Sequence, residues 1–174
     1  FYIRTNKGAK NFRMVTAPDS DISPKGWKEF IPHDPAALLE GVELFKDFIV
    51  ATTKSDGLNR FRLLDFKKGQ WHHFAFPEPV YPAFDGANPA FDSHLFRFGY
   101  QSLVTPNSVF DYDMATRKRT LLKQTEVLGG FDPTKYECKR LWAEARDGVK
   151  VPLSAVYRKG TKLDGKNPLW LYAY

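Results

Sequence analysis

Three asparagine-led segments recur at one fixed interval: Asn11-Phe12-Arg13-Met14-Val15, Asn59-Arg60-Phe61-Arg62-Leu63-Leu64 and Asn107-Ser108-Val109-Phe110-Asp111-Tyr112, with successive asparagines 48 residues apart. A constant period on this scale restricts the chain to stacked repeats, because a sandwich of irregular hairpins has no need to keep one. A short strand-like run precedes each segment: Phe1-Tyr2-Ile3, Phe48-Ile49-Val50-Ala51 and Ser102-Leu103-Val104. A polar turn and a further strand follow each, at Trp27 to Ile31, Trp71 to Ala75 and Thr120 to Lys123. A fourth strand per unit fits at Gly41 to Phe45 and near Leu95 to Phe98. Four short strands per period read as the blades of a β-propeller, in which each sheet buries its faces against its neighbours.

The turn chemistry agrees. Asn6-Lys7-Gly8 and Ser55-Asp56-Gly57 supply residues that tolerate positive φ, as tight hairpin loops require. Phe76-Pro77-Glu78-Pro79-Val80-Tyr81-Pro82 cannot lie inside a central strand and is expected to cross from one blade to the next. Three blades at most cannot close a ring, and the chain opens and closes inside strand-like runs. It is therefore expected to be a piece of a longer protein.

After Gln124 the period is lost at the breaker cluster Gly129-Gly130-Phe131-Asp132-Pro133. This places a partial propeller, about three blades, at residues 1–125 and a second region at 126–174. In that region two strands flank Asp147-Gly148, a two-residue hairpin signal. The closing run Pro168 to Tyr174 is apolar throughout, as in a strand covered on both faces. The expected fold is thus mostly β: C-terminal propeller blades followed by the first strands of an α/β-hydrolase domain.

The net charge of +6 raises the question of nucleic acid, but Lys and Arg alternate with Asp and Glu and read as a solvated surface. Arg117-Lys118-Arg119 is the one basic cluster and reads as a hairpin turn. Neither nucleic acid nor membrane is expected as a partner, since no apolar run approaches the roughly 18 residues a spanning helix needs. The single cysteine, Cys138, cannot form an intrachain disulfide, which with the missing signal peptide suits a cytoplasmic address.

Ser102-Leu103-Val104-Thr105-Pro106, Asp111-Tyr112-Asp113-Met114, Leu122-Lys123-Gln124-Thr125-Glu126-Val127 and Tyr136 resemble the prolyl oligopeptidase family, oligopeptidase B in particular. The similarity covers nearly the whole chain and is densest from about Tyr100 onward. Leu141-Trp142-Ala143, Ala145-Arg146-Asp147-Gly148-Val149-Lys150-Val151-Pro152, Asn167-Pro168 and Leu171-Tyr172-Ala173-Tyr174 extend it. The resemblance implies a cytosolic serine peptidase whose propeller, seven-bladed in that family, caps an α/β-hydrolase domain and admits only short peptides, with cleavage after Lys or Arg. It implies no cofactor.

Such chemistry needs a serine on a Gly-x-Ser-x-Gly elbow, a histidine and a carboxylate. No Gly-x-Ser-x-Gly occurs, and the four histidines, His33, His72, His73 and His94, all precede residue 126. The family order places the triad beyond Tyr174, so the chain alone is expected to be inactive. By the same resemblance Tyr174 is the candidate oxyanion donor, with Ala173 where many relatives carry glycine. His72 and His73 alternate faces of a strand and cannot share a metal. Cys138 reads as a structural or incidental thiol, and Asp111 and Asp113 as closing ladders or turns. A free-standing propeller that only binds, and a prolyl-specific peptidase, remain as other readings.

Overall fold

The computed structural model describes residues 1–173. Thirteen strands form four antiparallel sheets, and within each sheet sequence neighbours are spatial neighbours. The first sheet comprises β1 (Tyr2–Thr5), β2 (Arg13–Thr16) and β3 (Lys28–Ile31). The second comprises β4 (Leu38–Leu44), β5 (Phe48–Ser55), β6 (Leu58–Asp65) and β7 (Gln70–His73). The third comprises β8 (Ala83–Asp85), β9 (Leu95–Tyr100), β10 (Ser108–Asp113) and β11 (Lys118–Gln124). A hairpin of β12 (Tyr136–Glu144) and β13 (Lys150–Arg158) follows. The only helical turns among the described residues are two 3-10 pieces, Pro24–Gly26 and Pro133–Lys135.

The middle sheet explains the packing. Alternation along β5 sends Phe48 and Val50 to one face and Ile49 and Ala51 to the other, and both sets are buried. Ile49, Ala51 and Leu64 join Met14 and Ile31 of the first sheet in one apolar cluster. Phe48, Val50, Phe61 and Leu63 join Phe96, Phe98, Tyr100 and Tyr112 of the third in another. An even repeat of 48 preserves which face a position occupies, so Leu64 and Tyr112, 48 residues apart, each turn back toward the preceding sheet. Phe61 sits at the centre, 0% exposed, with edge-to-face partners Phe74, Phe76, Phe96 and Phe98 at centroid distances of 5.3 to 6.0 Å.

The turns repeat as well. Asp65 and Asp113 each end a strand, accept two backbone N–H groups through Oδ1, and open a four-residue loop whose last residue is left-handed: Gly69 at φ 63° and Arg117 at φ 62°. The β5–β6 hairpin closes on Asp56 (φ 52°) and Gly57 (φ 72°), the two-residue I′ geometry the sequence signals.

Three expectations need correction. Ser102-Leu103-Val104 is not a strand: the Ser102 hydroxyl accepts from the Val104 and Thr105 N–H groups and bends the chain, so β9 takes the place beside β10. The first strand of the third sheet is instead β8, three residues directly after the proline-rich crossing. At Asp147-Gly148 only Gly148 has positive φ, and Ala145 pairs with Val149 around a three-residue loop rather than a two-residue one. Residues 168–173 form no strand, and Leu169 and Trp170 stand 85% and 90% exposed. A strand requires neighbours to take up its backbone groups, and no described segment lies beside this one as a ladder partner.

Candidate functional site

Tyr174, the one residue assigned a catalytic role from sequence, lies outside the described residues. What the structure defines is the junction that leads toward it. The crossing between the second and third sheets carries Glu78, whose carboxylate accepts from the Tyr100 hydroxyl and, at 2.5 Å, from the Thr105 hydroxyl. Burial and the adjoining Glu78 carboxylate push the Tyr100 phenol far above its usual range, so Tyr100 is a fixed donor and not an acid–base group. Cys138 of β12 is buried beside this network, and burial followed by the Glu78 charge raises its thiol. Raised and enclosed, it is an inert packing group. Glu78 thus links the crossing, β9 and its turn at the point where β12 begins.

A second contact joins the hairpin to the middle sheet. Arg140 of β12 donates through Nη2 to the Asp56 carbonyl at the β5–β6 turn. Gly57 suits that position, since φ is already +72° and a Cβ there would stand 2.7 Å from the same nitrogen and displace it. The β12–β13 hairpin therefore rests on the ends of the propeller-like sheets through Arg140 and Cys138.

The first strands of the second and third sheets carry a carboxyl pair. Asp85 of β8 accepts from the Thr52 hydroxyl at 2.8 Å, and burial raises it. Glu43 of β4 is raised by burial and then by the charge of Asp85. Between β7 and β10, His72 and the Tyr112 hydroxyl lie 2.9 Å apart. Burial, then Arg117 and His73, hold His72 below its usual range. His73 points to the opposite side of β7, so the two histidines do not converge. Asp113 caps its turn, while Asp111 takes Arg97 in a two-pronged pair at 2.8 and 2.9 Å across β9 and β10. Both aspartates do the structural work read from the sequence.

Sequence reasoning missed Glu78, Asp85 and Arg62. Glu78 gave one signal, a charged residue between two prolines in an otherwise apolar crossing; the others look like surface positions in any alternating strand.

Residues 1–125 match the sequence family described as "Prolyl oligopeptidase, N-terminal beta-propeller domain". The chain belongs to the prolyl oligopeptidase family. Within this family it is 38% identical over 174 residues to Dipeptidyl aminopeptidase BI of Pseudoxanthomonas mexicana, covering 99% of this chain and 24% of that protein. It is 30% identical over 172 residues to Protease 2 of Moraxella lacunata, covering 99% of this chain and 24% of that protein. Among solved structures, oligopeptidase B from Trypanosoma brucei with covalently bound antipain superposes at a TM-score of 0.81 with 31% identity, over 93% of this chain and 24% of that one. The chain thus spans about a quarter of the length of the prolyl oligopeptidase relatives it matches.

Proposed function

We propose that this chain is the propeller side and interdomain junction of a serine oligopeptidase that hydrolyses short peptides, with the sheets acting as a size gate. The observation that carries this is the family match over residues 1–125 within relatives four times as long. On this reading the three stacked sheets are consecutive blades, residues 126–174 are the crossover and first strands of the α/β-hydrolase domain, and the protein is cytoplasmic. The serine, aspartate and histidine of the triad lie outside these residues, so the 174-residue chain does not turn over substrate.

Tyr174 takes the role of oxyanion donor in the proposal. A preorganised donor of this kind lowers the barrier by about 3 kcal/mol. In the intact gene product Tyr174→Phe should therefore reduce kcat by a factor of order 100 with little change in KM. An unchanged kcat would reduce Tyr174 to a packing residue.

Cleavage after Lys or Arg follows from the resemblance to oligopeptidase B. The higher identity to a dipeptidyl aminopeptidase favours a second reading, release of dipeptides from a free N-terminus. Two substrates separate them: an N-blocked arginyl amide and an unblocked dipeptidyl amide lacking Lys and Arg. Turnover of the blocked substrate supports the first reading, and turnover of the unblocked one alone supports the second. Turnover of neither, with no labelling by a serine-directed reagent, would overturn both.

A further inference from the structure

Between the first and second sheets lies a cavity of about 160 Å³ whose floor is apolar, made by Phe12, Ile31 and Leu39. Its other wall carries Arg62. Period-2 alternation on β6 sends Phe61 and Leu63 into the aromatic core and turns Arg62 toward the first sheet, where a solvated strand would have met water. The guanidinium lies over the Trp71 ring at 4.7 Å, which fixes its plane. Its Nε is shut off from solvent and has no hydrogen-bond partner, and Arg62 makes no ion pair among the described residues. Burial lowers its pKa, and the only charge recorded as opposing this is Asp34, which lies on the same cavity beyond ion-pair distance. Asp34 is already engaged, with Oδ1 accepting from the Ala36 N–H.

An arginine that is partly desolvated, held flat over a ring and left with its buried Nε–H unpaired is costly to the fold unless something occupies it. Arg60, held by the Ser55 hydroxyl at 2.9 Å and paired with Asp56 at 4.0 Å, lines the same cavity, as does His73. The volume is well below the roughly 300 to 1,000 Å³ of a drug-sized site, which limits the occupant to a small group. Guanidinium pairs with carboxylate in a two-pronged geometry, and the apolar floor selects a carboxylate on a hydrocarbon stem over a hydrated inorganic anion.

We propose that the Arg62–Trp71 cavity is a binding site for a carboxylate borne on a short apolar stem, supplied by the free C-terminus of a peptide or by an acidic side chain. Ser55 and Arg60, which flank the β5–β6 turn, line the same cavity, so a bound peptide would run past that turn. The proposal does not depend on where the peptide is cut.

The test is a titration of the intact gene product carrying residues 1–174, followed by the NMR signals of the Arg62 Nε–H and the Trp71 indole. The probes are acetyl-dialanine, its C-terminal amide, and acetyl-glutamate capped as the α-methylamide. Acetyl-dialanine or the glutamate derivative should shift both signals, and the tighter of the two identifies the source of the carboxylate. The uncharged amide should bind about tenfold or more weakly, a comparison that needs no variant. Arg62→Gln should weaken acid binding by a similar factor, and Asp34→Asn should strengthen it by removing the competing negative charge. Equal binding of acid and amide, absence of binding by both acids, or full binding by a folded Arg62→Gln would overturn the proposal.

Discussion

Phe61→Ala is the substitution that most directly probes how the second and third sheets hold together. Phe61 is fully enclosed and meets four aromatic rings edge to face, two from β9 and two from the segment after β7. Truncating a buried phenylalanine costs about 3 to 5 kcal/mol, from the lost transfer energy and the residual cavity. The rigid rings around this one cannot collapse into the space, so about 4 kcal/mol is expected. For a chain of this size that corresponds to a fall in Tm of about 10 °C and a fall in urea midpoint of about 1.5 M. Phe91→Ala is the matched control, because that ring is 62% exposed and its removal should cost about 0.5 kcal/mol or less. Urea titrations of chain 1–174 by near-ultraviolet circular dichroism read both. A Phe61→Ala loss no larger than the Phe91→Ala loss would refute an aromatic core shared by the two sheets.

Other perturbations test the turns and the β7–β10 contact. Gly69→Ala should destabilise by about 1 kcal/mol through backbone strain alone, since nothing lies within 4 Å of the added Cβ, and Arg117→Gly at the matching turn should gain about 0.5 kcal/mol. Thermal melts of the two variants moving in the same direction would contradict the turn equivalence. His72 is held below its usual value in the fold, so the unfolded chain binds the proton more readily. Its contribution is therefore present above about pH 6.5 and lost as pH falls below it. Stability between pH 7.5 and 5.5 should accordingly fall less in His72→Gln than in the parent, and parallel profiles would remove His72 as the cause.

Much of this arrangement is legible in the sequence, and the exceptions share a physical cause. The 48-residue period locates β2, β6 and β10, and Asp56-Gly57 gives the tightest turn, because those features depend on local backbone chemistry and an even repeat. Ser102-Leu103-Val104 has strand-forming residues yet turns, because one hydroxyl offers its N–H groups a nearer acceptor than a neighbouring strand. β8 is too short to show a pattern. Residues 168–173 show that an apolar run specifies burial only when a partner surface exists. The role given to Tyr174 rests on resemblance alone, and the residue lies outside the described ones. The Arg62 site was hidden because Arg-Phe-Arg-Leu reads as one wet face, and only stacking of sheets on both sides of β6 turns that face inward.

The central claim, that residues 1–174 gate a serine peptidase without carrying its triad, is tested most directly by labelling with a fluorophosphonate probe. The intact gene product should label at a single serine outside residues 1–174 and hydrolyse short peptides, while chain 1–174 should neither label nor turn over substrate. Labelling of a serine within residues 1–174, or peptide hydrolysis by that chain alone, would contradict it.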